Sequence, residues 1–186
     1  MNFYRCLNVR EFKKNNLKLV PIRFEDRYNI LKWRNEQMYH LRQNIPLSFD
    51  QQDHYFSNVI ERLFDQEYPS QILFSFLEND ICVGYGGLVH INWIDKNAEI
   101  SFIMKTELEN EKFSYYWKNY LELLEEAAFV CLKFHKIFTF AFDLRPHLYP
   151  ILEKAGYCDT VRLKDHCFFD GKYLDVVINA KINNNA

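Results

Sequence analysis

The stretch "FIMKTELENEKFSYYWKN", residues 102–119, joins the end of a predicted β-strand to the first turns of a predicted helix. In many α/β enzymes a turn of this kind binds phosphate through backbone N–H groups, and glycine lets the chain come close to the ligand. This turn contains no glycine and offers Lys112 and Ser114 instead. The elements around it decide between a nucleotide site and a simple connection.

The helix that follows is the most regular one in the sequence. Its apolar residues recur at steps of three and four, and charged residues occupy the opposite side, as in a helix packed on a sheet. Ser114 is the predicted N-cap of this helix. The apolar side consists of Trp117, Tyr120, Leu121, Leu124, Ala127, Ala128 and Cys131.

The segment before the stretch predicts an antiparallel meander of three strands. Apolar residues alternate in "SQILFSFLE" and "EISFIMK", and "ICVGYGGLVHINW" lies between them after an Asn79-Asp80 turn. No helix follows the "GYGG" of the middle strand (84–87), so this string indicates a bulge or a close backbone approach and not a phosphate loop.

One strand and two helices are predicted near the N-terminus. The strand covers residues 17–23, where Pro21 indicates an edge position. A short helix follows at about 25–34. The second helix begins at Ser48, which forms an S-x-x-Q capping box with Gln51.

The last part of the chain predicts a strand at 136–142, a short helix and a hairpin. The helix begins near Leu148, because Pro150 must lie in its first turn, and Gly156 ends it. The hairpin turns at Asp170-Gly171. The order β-α-α-β-β-β-α-β-α-β-β predicts an α/β (α+β) fold, with a mixed, mostly antiparallel central sheet of about seven strands and about four flanking helices.

Length and charge limit the classes of function. A chain of 186 residues without repeats predicts a single domain, 1–186, with residues 1–16 as an N-terminal extension and 183–186 as a short tail. A net charge of −2 and a pI near 6.3 argue against nucleic acid and anionic membranes as partners. No apolar run reaches the roughly 18 residues that a membrane span requires.

The cysteines and histidines predict neither disulfides nor a metal site. The five cysteines are widely spaced without a C-x-x-C, and no two of the six histidines are three or four residues apart. Reduced thiols and a cytoplasmic location are therefore expected. The N-terminus is also too charged for a secretory signal peptide.

Three strings resemble segments of the GCN5-related N-acetyltransferase (GNAT) superfamily, and they follow one another along this chain in the same order as in the family. "ILKWRNEQMYHLRQNIPLSFDQQDHYF" and "DHCFFDGKYLDVVINAKI" are similar to the opening helices and the closing hairpin of the branch with ribosomal-protein and amino-sugar acetyltransferases. "ILEKAGY" (151–157) resembles the family segment that follows the strand beside the acyl-CoA. The resemblance covers about residues 17–182.

The resemblance implies acetyl transfer from acetyl-CoA to the amine of a small molecule. In the family, pantetheine lies between the splayed fourth and fifth strands, which are "EISFIMK" and "IFTFAF" in this sequence. Backbone groups of Phe102, Ile103 and Met104 would then bind pantetheine. An N–H group there would polarise the thioester carbonyl and stabilise the charge that develops on its oxygen.

The chain departs from the family at the diphosphate. The Arg/Gln-x-x-Gly-x-Gly/Ala pattern of the family falls on Lys112, Tyr115 and Trp117, so that aromatic residues replace both small ones. The asparagine that usually follows the fifth strand is replaced by Arg145. The expected diphosphate ligands are Lys112, Ser114, Tyr115 and Tyr116 with their N–H groups, and Arg145.

The chemistry requires a base, because an aliphatic amine is mostly protonated at neutral pH and must be neutral to attack. Glu99 matches a frequent family position for this role, His90 on the preceding strand is the alternative, and a water relay stays open. The family's tyrosine acid for the leaving thiolate is replaced by Leu152, so Tyr149 is the nearest candidate.

The acceptor wall of the family corresponds to the region that contains Trp33, Arg34, Arg42 and Gln43. Arginine suits a nucleotide diphosphate, and an aromatic ring suits a sugar or a base. The resemblance therefore implies a nucleotide-linked amino sugar of surface polysaccharide biosynthesis as acceptor. Acetylation of a protein N-terminus or of another small amine stays open, as do a homodimer and a non-catalytic binding module that has lost CoA.

Overall fold

The computed structural model describes residues 3–184, so the ends of the predicted extension and tail, residues 1–2 and 185–186, lie outside it. Its centre is an eight-stranded sheet in the order β1-β2-β3-β4-β5-β6-β8-β7. The strands are β1 (Phe12–Lys14), β2 (Leu17–Pro21), β3 (Ile72–Glu78), β4 (Ile81–Asn92), β5 (Asn97–Met104), β6 (Lys136–Phe142), β7 (Asp159–Phe169) and β8 (Lys172–Ile182). Only β5 and β6 pair in parallel, which confirms the mixed, mostly antiparallel sheet.

The helices correspond to the four predicted ones. They are α1 (Arg27–Glu36), α2 (Phe49–Tyr55), α3 (Glu61–Phe64), α4 (Glu109–Glu125) and α5 (Tyr149–Lys154). A π-helical turn joins α2 to α3, so these two form one continuous helical segment. Both hydrogen bonds of the predicted capping box are present, since Gln51 N donates to Ser48 Oγ and Ser48 N donates to Gln51 Oε1.

An eighth strand lies within the predicted N-terminal extension. Strand β1 contains one apolar residue, Phe12, so the sequence shows no alternation there that would reveal it. Further upstream, Tyr4 is fully buried and its hydroxyl donates to the Leu73 carbonyl at 2.9 Å. The predicted edge position of the Pro21 strand is wrong, because β2 lies between β1 and β3. Pro21 is tolerated since it lies beyond the last residue that pairs with β1.

The prediction of Ser114 as an N-cap is wrong. Helix α4 begins at Glu109, five residues earlier, after the 3₁₀ turn Thr106–Leu108. Acidic residues in a first helical turn are favoured by the helix dipole, and Glu109 and Glu111 supply them. Ser114 lies on the exposed side of the helix, where its hydroxyl caps nothing.

Aromatic packing fixes α4 on β5. The Phe102 ring stacks on Tyr120 with centroids 3.9 Å apart, and Trp117 meets the same ring edge-on at 5.0 Å. The Tyr120 hydroxyl donates to the Ser101 carbonyl at 2.7 Å. These contacts tie the middle of α4 to the second half of β5.

Gly86 of "GYGG" lies opposite Phe102 in the sheet, at the point where Tyr120 comes closest. A Cβ on Gly86 would lie 2.0 Å from the Ser101 carbonyl oxygen and 2.6 Å from the Tyr120 hydroxyl. The predicted close backbone approach is therefore confirmed. Only a residue without a side chain leaves room for the Tyr120–Ser101 hydrogen bond.

Strands β5 and β6 part soon after they meet. Their parallel register contains three pairs, from Asn97–Lys136 to Glu99–Phe138. Strand β6 nevertheless stays paired with β8 over its whole length. The rest of β5 turns away and leaves a wedge-shaped opening, as the resemblance predicted for these two strands.

Three other findings bear on the expectations from composition. The five cysteines are free thiols. None of the helices between residues 3 and 184 combines the length and the apolar composition needed to cross a bilayer. Over the same residues, no cluster of three or more His, Cys, Asp or Glu side chains could hold a metal ion. The cytoplasmic location stays a prediction.

We expect Gly86→Ala to destabilise the fold by about 3 kcal/mol, since the added methyl group must displace a backbone carbonyl or break the Tyr120 hydrogen bond. Urea unfolding measures the change. Gly171→Ala is the matched control: its φ of 76° strains alanine, but nothing lies within 4 Å, so a loss of about 1 kcal/mol is expected. Equal losses in the two variants would contradict the close approach.

Candidate active site

The wedge between β5 and β6 contains a cavity of about 480 Å³. Residues 99–103 of β5 and 139–141 of β6 form its two sides. Residues of α1 and of the turn after it cover one wall, and Trp117, Arg145 and Leu148 lie at its outer end. Because β5 has no strand partner on this side beyond Glu99, its backbone groups there are available to a ligand.

A second cavity of about 420 Å³ lies between α1, α2 and the sheet. The two cavities share a common wall of Arg34, Gln71, Val89 and Ser101. A molecule that occupies the second cavity can therefore place one end beside the wedge. This arrangement suits a reaction between two substrates that enter from different sides.

Glu99 forms the polar centre of the wedge. Its carboxylate is almost fully buried, and Oε2 lies 2.8 Å from His90 Nδ1. The other oxygen, Oε1, accepts a hydrogen bond from Arg42 Nη2. The two candidate bases of the sequence are thus one hydrogen-bonded unit.

The backbone at His90 is strained. The residue has a φ of +48°, in the left-handed region that is costly for side chains other than glycine. It lies where the β4–β5 register shifts, between Val89 and Asn92. Such strain costs on the order of 1–3 kcal/mol and often marks functional positions. Here it brings the imidazole to the Glu99 carboxylate.

This pair can act as a base. When Nδ1 carries the proton that Glu99 accepts, the lone pair of the ring is on Nε2, which has no hydrogen-bond partner among residues 3–184. The carboxylate then stabilises the imidazolium that forms on proton uptake, as an aspartate does in a catalytic triad. Arg42 holds the carboxylate in place from the other side.

Arg34 is a cation between the two cavities. Its Nε donates to Gln43 Oε1 at 3.1 Å, and Nη1 donates to the Tyr85 hydroxyl at 2.8 Å. Gln43 is held in turn by Asn35, to which its amide donates. Within the described chain, no carboxylate forms an ion pair with Arg34. Three of the five guanidinium N–H groups are therefore unused.

The outer end of the wedge carries a buried ion pair. Arg145 Nη1 lies 3.6 Å from Glu109 Oε1, and this oxygen is buried without a hydrogen bond. Burial lowers the pKa of Arg145 and raises the pKa of Glu109. His40 lies nearby, and burial together with the charge of Arg145 lowers its pKa to about 3.

The structure brings several predicted site residues into one cavity. Arg34 and Arg42 lie on one wall, opposite the strands that carry the others, and Gln43 supports Arg34 from behind. The predicted residues that line the wedge are Arg34, Arg42, His90, Glu99, Phe102, Ile103 and Arg145. Donor, acceptor and base residues of the prediction therefore meet at one place.

Other predicted residues lie away from the wedge. Trp33 belongs to the apolar core. The Met104 carbonyl accepts from the Gln37 amide at 2.8 Å. The Tyr149 hydroxyl donates to Asp143, on the side of α5 that faces β7 and β8. The structure does not bring the Tyr149 hydroxyl to the Glu99–His90 pair.

The residues aligned with the family's diphosphate loop lie within α4. Lys112 is 3.5 Å from Glu78, and the Tyr116 hydroxyl donates to the same carboxylate. Ser114 and Tyr115 are exposed one turn into the helix. Only the first four N–H groups of a helix are free, so those of Tyr115 and Tyr116 are hydrogen-bonded within α4. The structure therefore does not place them at a helix N-terminus.

Sequence reasoning missed Tyr85, Gln71 and Thr139, which line the two cavities, and Glu109, the ion-pair partner of Arg145. Tyr85 stands between the glycines of "GYGG", and an aromatic residue in that setting is a signal that could have indicated it. The Thr139 hydroxyl lines the wedge and is buried without a hydrogen bond to any of residues 3–184. Nothing in the local sequence distinguishes it from an ordinary strand threonine.

The two ends of the wedge differ in how they fit an acyl-CoA. The unpaired edge of β5 and the free Thr139 hydroxyl suit a pantetheine amide chain and a thioester. The turn before α4 does not fit a diphosphate in the usual way. It has no glycine and carries Glu107, and the first turn of α4 adds Glu109 and Glu111.

A mixed sheet whose parallel strands part beside a buried carboxylate, which is hydrogen-bonded to an exposed imidazole, defines an acyltransferase of the GNAT fold. The family described as "Acetyltransferase (GNAT) domain" matches residues 19–178. The chain belongs to this family: it is an N-acetyltransferase, and acetyl-CoA is its acyl donor. The predicted superfamily, enzyme class and acyl donor are thus confirmed.

Relatives of known function support the fold. The chain is 23% identical to spermidine N(1)-acetyltransferase of Vibrio cholerae over 174 residues, 91% of this chain and 89% of the relative. A crystal structure of the Vibrio cholerae spermidine N-acetyltransferase with CoA and spermine has a TM-score of 0.77 at 20% identity, covering 91% of this chain and 97% of the other. A dodecameric structure of the same kind of enzyme has a TM-score of 0.76 at 20% identity, covering 91% and 95%.

His40 makes the stability of the protein depend on pH. Its folded-state pKa of about 3 lies below that of an exposed histidine, so between these values the unfolded state binds the extra proton and acid favours unfolding. From pH 6.5 to pH 5, wild type should lose about 1.5 kcal/mol more stability than His40→Gln. Chemical denaturation at both pH values measures this difference. The control His54→Gln changes an exposed histidine, and its loss of stability between the two pH values should equal that of wild type. If His40→Gln also loses as much stability as wild type, the prediction is contradicted.

Proposed function

We propose that the protein acetylates a primary amine on a small molecule that also carries an anionic group, and that a nucleotide-linked amino sugar is the preferred acceptor class. The single observation that carries this proposal is the charge of Arg34 in the wall shared by the two cavities. A cation with unused donors at this position favours an acceptor with a phosphate or carboxylate group.

The second cavity supports an acceptor with many hydroxyl groups. Its polar lining consists of Arg34, Gln51, Gln52, Gln71, Tyr55, Tyr85 and Ser101. Amide and hydroxyl groups of this kind can donate and accept, as the hydroxyls of a sugar require. No aspartate or glutamate among residues 3–184 lines this cavity.

The same lining argues against a polyamine acceptor. The relatives in Vibrio cholerae act on spermidine, as their names state. A polyamine carries several positive charges and needs carboxylates near its amines. In this chain it would face Arg34 and Arg42, and the carboxylate of Glu99 is already bound by Arg42 and His90. The acceptor class is therefore proposed to differ from that of these relatives.

In the proposed reaction, acetyl-CoA supplies the acetyl group as a thioester. His90 Nε2 takes a proton from the acceptor nitrogen, and Glu99 stabilises the resulting imidazolium. The neutral nitrogen then bonds to the acetyl carbon, the carbon–sulfur bond breaks, and the electron pair leaves on sulfur. The nitrogen loses its second proton as the amide forms, and the leaving thiolate takes up a proton to become the CoA thiol. Arg34 orients the acceptor by its anionic group and so holds its nitrogen near the thioester carbon.

An acceptor screen tests the proposed class. Purified protein with acetyl-CoA is offered nucleotide-linked amino sugars, free amino sugars, spermidine and an N-terminal peptide, and released thiol is measured. Anionic amino-sugar nucleotides should give the highest kcat/KM. Preferential acetylation of spermidine would overturn the proposal, whereas acetylation of the peptide alone would favour the protein N-terminus.

Substitution of Arg34 tests the observation that carries the proposal. Arg34→Met should raise the KM for an anionic acceptor about 100-fold, because a forked, charge-assisted hydrogen bond is lost, and should leave the KM for acetyl-CoA unchanged. Arg34→Lys, which keeps the charge without the fork, should lie between. Arg62→Met removes an exposed arginine of α3 and should leave kinetics unchanged. An unaltered KM in a folded Arg34→Met variant would remove Arg34 from the acceptor site.

A comparison of single and double variants tests whether Glu99 and His90 act as one unit. His90→Gln and Glu99→Gln should each lower kcat by about 10²-fold or more, with KM for acetyl-CoA unchanged. Because the two groups act as one unit, the double variant should be little worse than the more damaging single variant. Multiplicative losses, or full activity in His90→Gln, would contradict the shared role.

A further inference from the structure

We infer that Arg145 binds the diphosphate of the acyl donor at the open end of the wedge, and that Glu109 occupies this place in the free protein. The turn before α4, which serves this purpose elsewhere in the family, would then not be the diphosphate site. This inference concerns the donor only and does not depend on the class of acceptor.

The first observation is the state of Arg145. Its side chain is 10% exposed and lines the wedge. The guanidinium makes no hydrogen bond within the described residues, and its one ionic contact is Glu109 at 3.6 Å. A buried guanidinium normally has several hydrogen-bonded acceptors, so five unused N–H groups indicate a site for an anion.

The second observation is the state of Glu109. Its Oε1 is buried and forms no hydrogen bond with the part of the chain that the structure describes. The two charges therefore face each other without the hydrogen bonds that would compensate the loss of water around them. Phosphate oxygens can accept from both ends of the guanidinium fork, which a carboxylate at this distance does not do. An incoming diphosphate can thus replace Glu109 with better geometry.

The position of the pair fits the route of the donor. Strands β5 and β6 are parallel and part after Glu99, so the wedge widens toward their ends, Met104 and Phe142. Glu109 follows the end of β5 by five residues, and Arg145 follows the end of β6 by three. Their ion pair bridges the open end. A donor with its thioester at Glu99 must leave the wedge past this pair.

Aromatic rings surround Arg145, and the cation at the aligned family position is engaged elsewhere. The Phe113 ring lies 5.8 Å from the Arg145 guanidinium and packs against His147 at 4.4 Å. Lys112, the cation at the aligned family position, turns instead to Glu78 and to the Tyr116 ring. Glu107 in the turn before α4 and Glu111 in the first turn of the helix carry negative charge, which would repel a diphosphate at the usual place.

The test measures binding without any acceptor. Isothermal titration with CoA, and competition with pantetheine, which lacks the nucleotide and its phosphates, are compared between wild type and variants. Arg145→Gln should weaken CoA about 100-fold and pantetheine less than twofold. Glu109→Gln should tighten CoA about tenfold, because it removes the competing carboxylate.

Matched controls separate this site from the general effect of charge. Glu111→Gln removes an exposed carboxylate from the same turn and should tighten CoA less than twofold; Lys112→Gln should leave it unchanged. Unaltered CoA affinity in a folded Arg145→Gln variant would overturn the inference, as would equal gains in Glu109→Gln and Glu111→Gln. A loss confined to Lys112→Gln would place the diphosphate on the surface of α4 and would also overturn it. If Arg145→Gln does not fold, the two glutamate variants decide.

Discussion

Hydrogen bonding between β5 and β6 stops after the Glu99–Phe138 pair, and the shape of the site follows from this. Backbone N–H and C=O groups that lose a strand partner must find another, because leaving them unpaired in the interior is costly. Packing holds the strands apart: β6 is paired with β8 along its length, whereas Phe102 ties β5 to Tyr120 of α4. The open edge of β5 is thus a stable feature that a ligand can use.

The charges around this opening are arranged in two groups. At the closed end, Glu99 is neutralised by Arg42 and joined to His90, which suits proton transfer from an amine. At the open end, the ionic partner of Arg145 is Glu109, at 3.6 Å. Arg34 adds a third cation between the cavities, and within residues 3–184 its hydrogen-bond partners are neutral. These cations underlie the proposal of an anionic acceptor, whereas relatives with the same fold act on spermidine.

Local patterns accounted for most of the fold. The capping box at Ser48 and Gln51, the Asn79-Asp80 and Asp170-Gly171 turns and the helix end at Gly156 depend on residues within four positions of each other. All of them formed as predicted. Two of the errors also have local causes. Ser114 is a good N-cap residue inside a helix that acidic residues extend upstream, and β1 is too short to show alternation.

The site could be predicted only in part. The sequence by itself determined the order of elements, the family and the residue types that would meet, because these depend on short-range patterns and on motifs of contiguous residues. Only the tertiary structure decided that His90 and Glu99 are hydrogen-bonded to each other, since they meet through a register shift between strands. It also decided that Arg145 faces Glu109 and that no carboxylate among residues 3–184 forms an ion pair with Arg34. Such contacts depend on how far two strands diverge and on where a helix begins relative to them, and no local pattern encodes these distances.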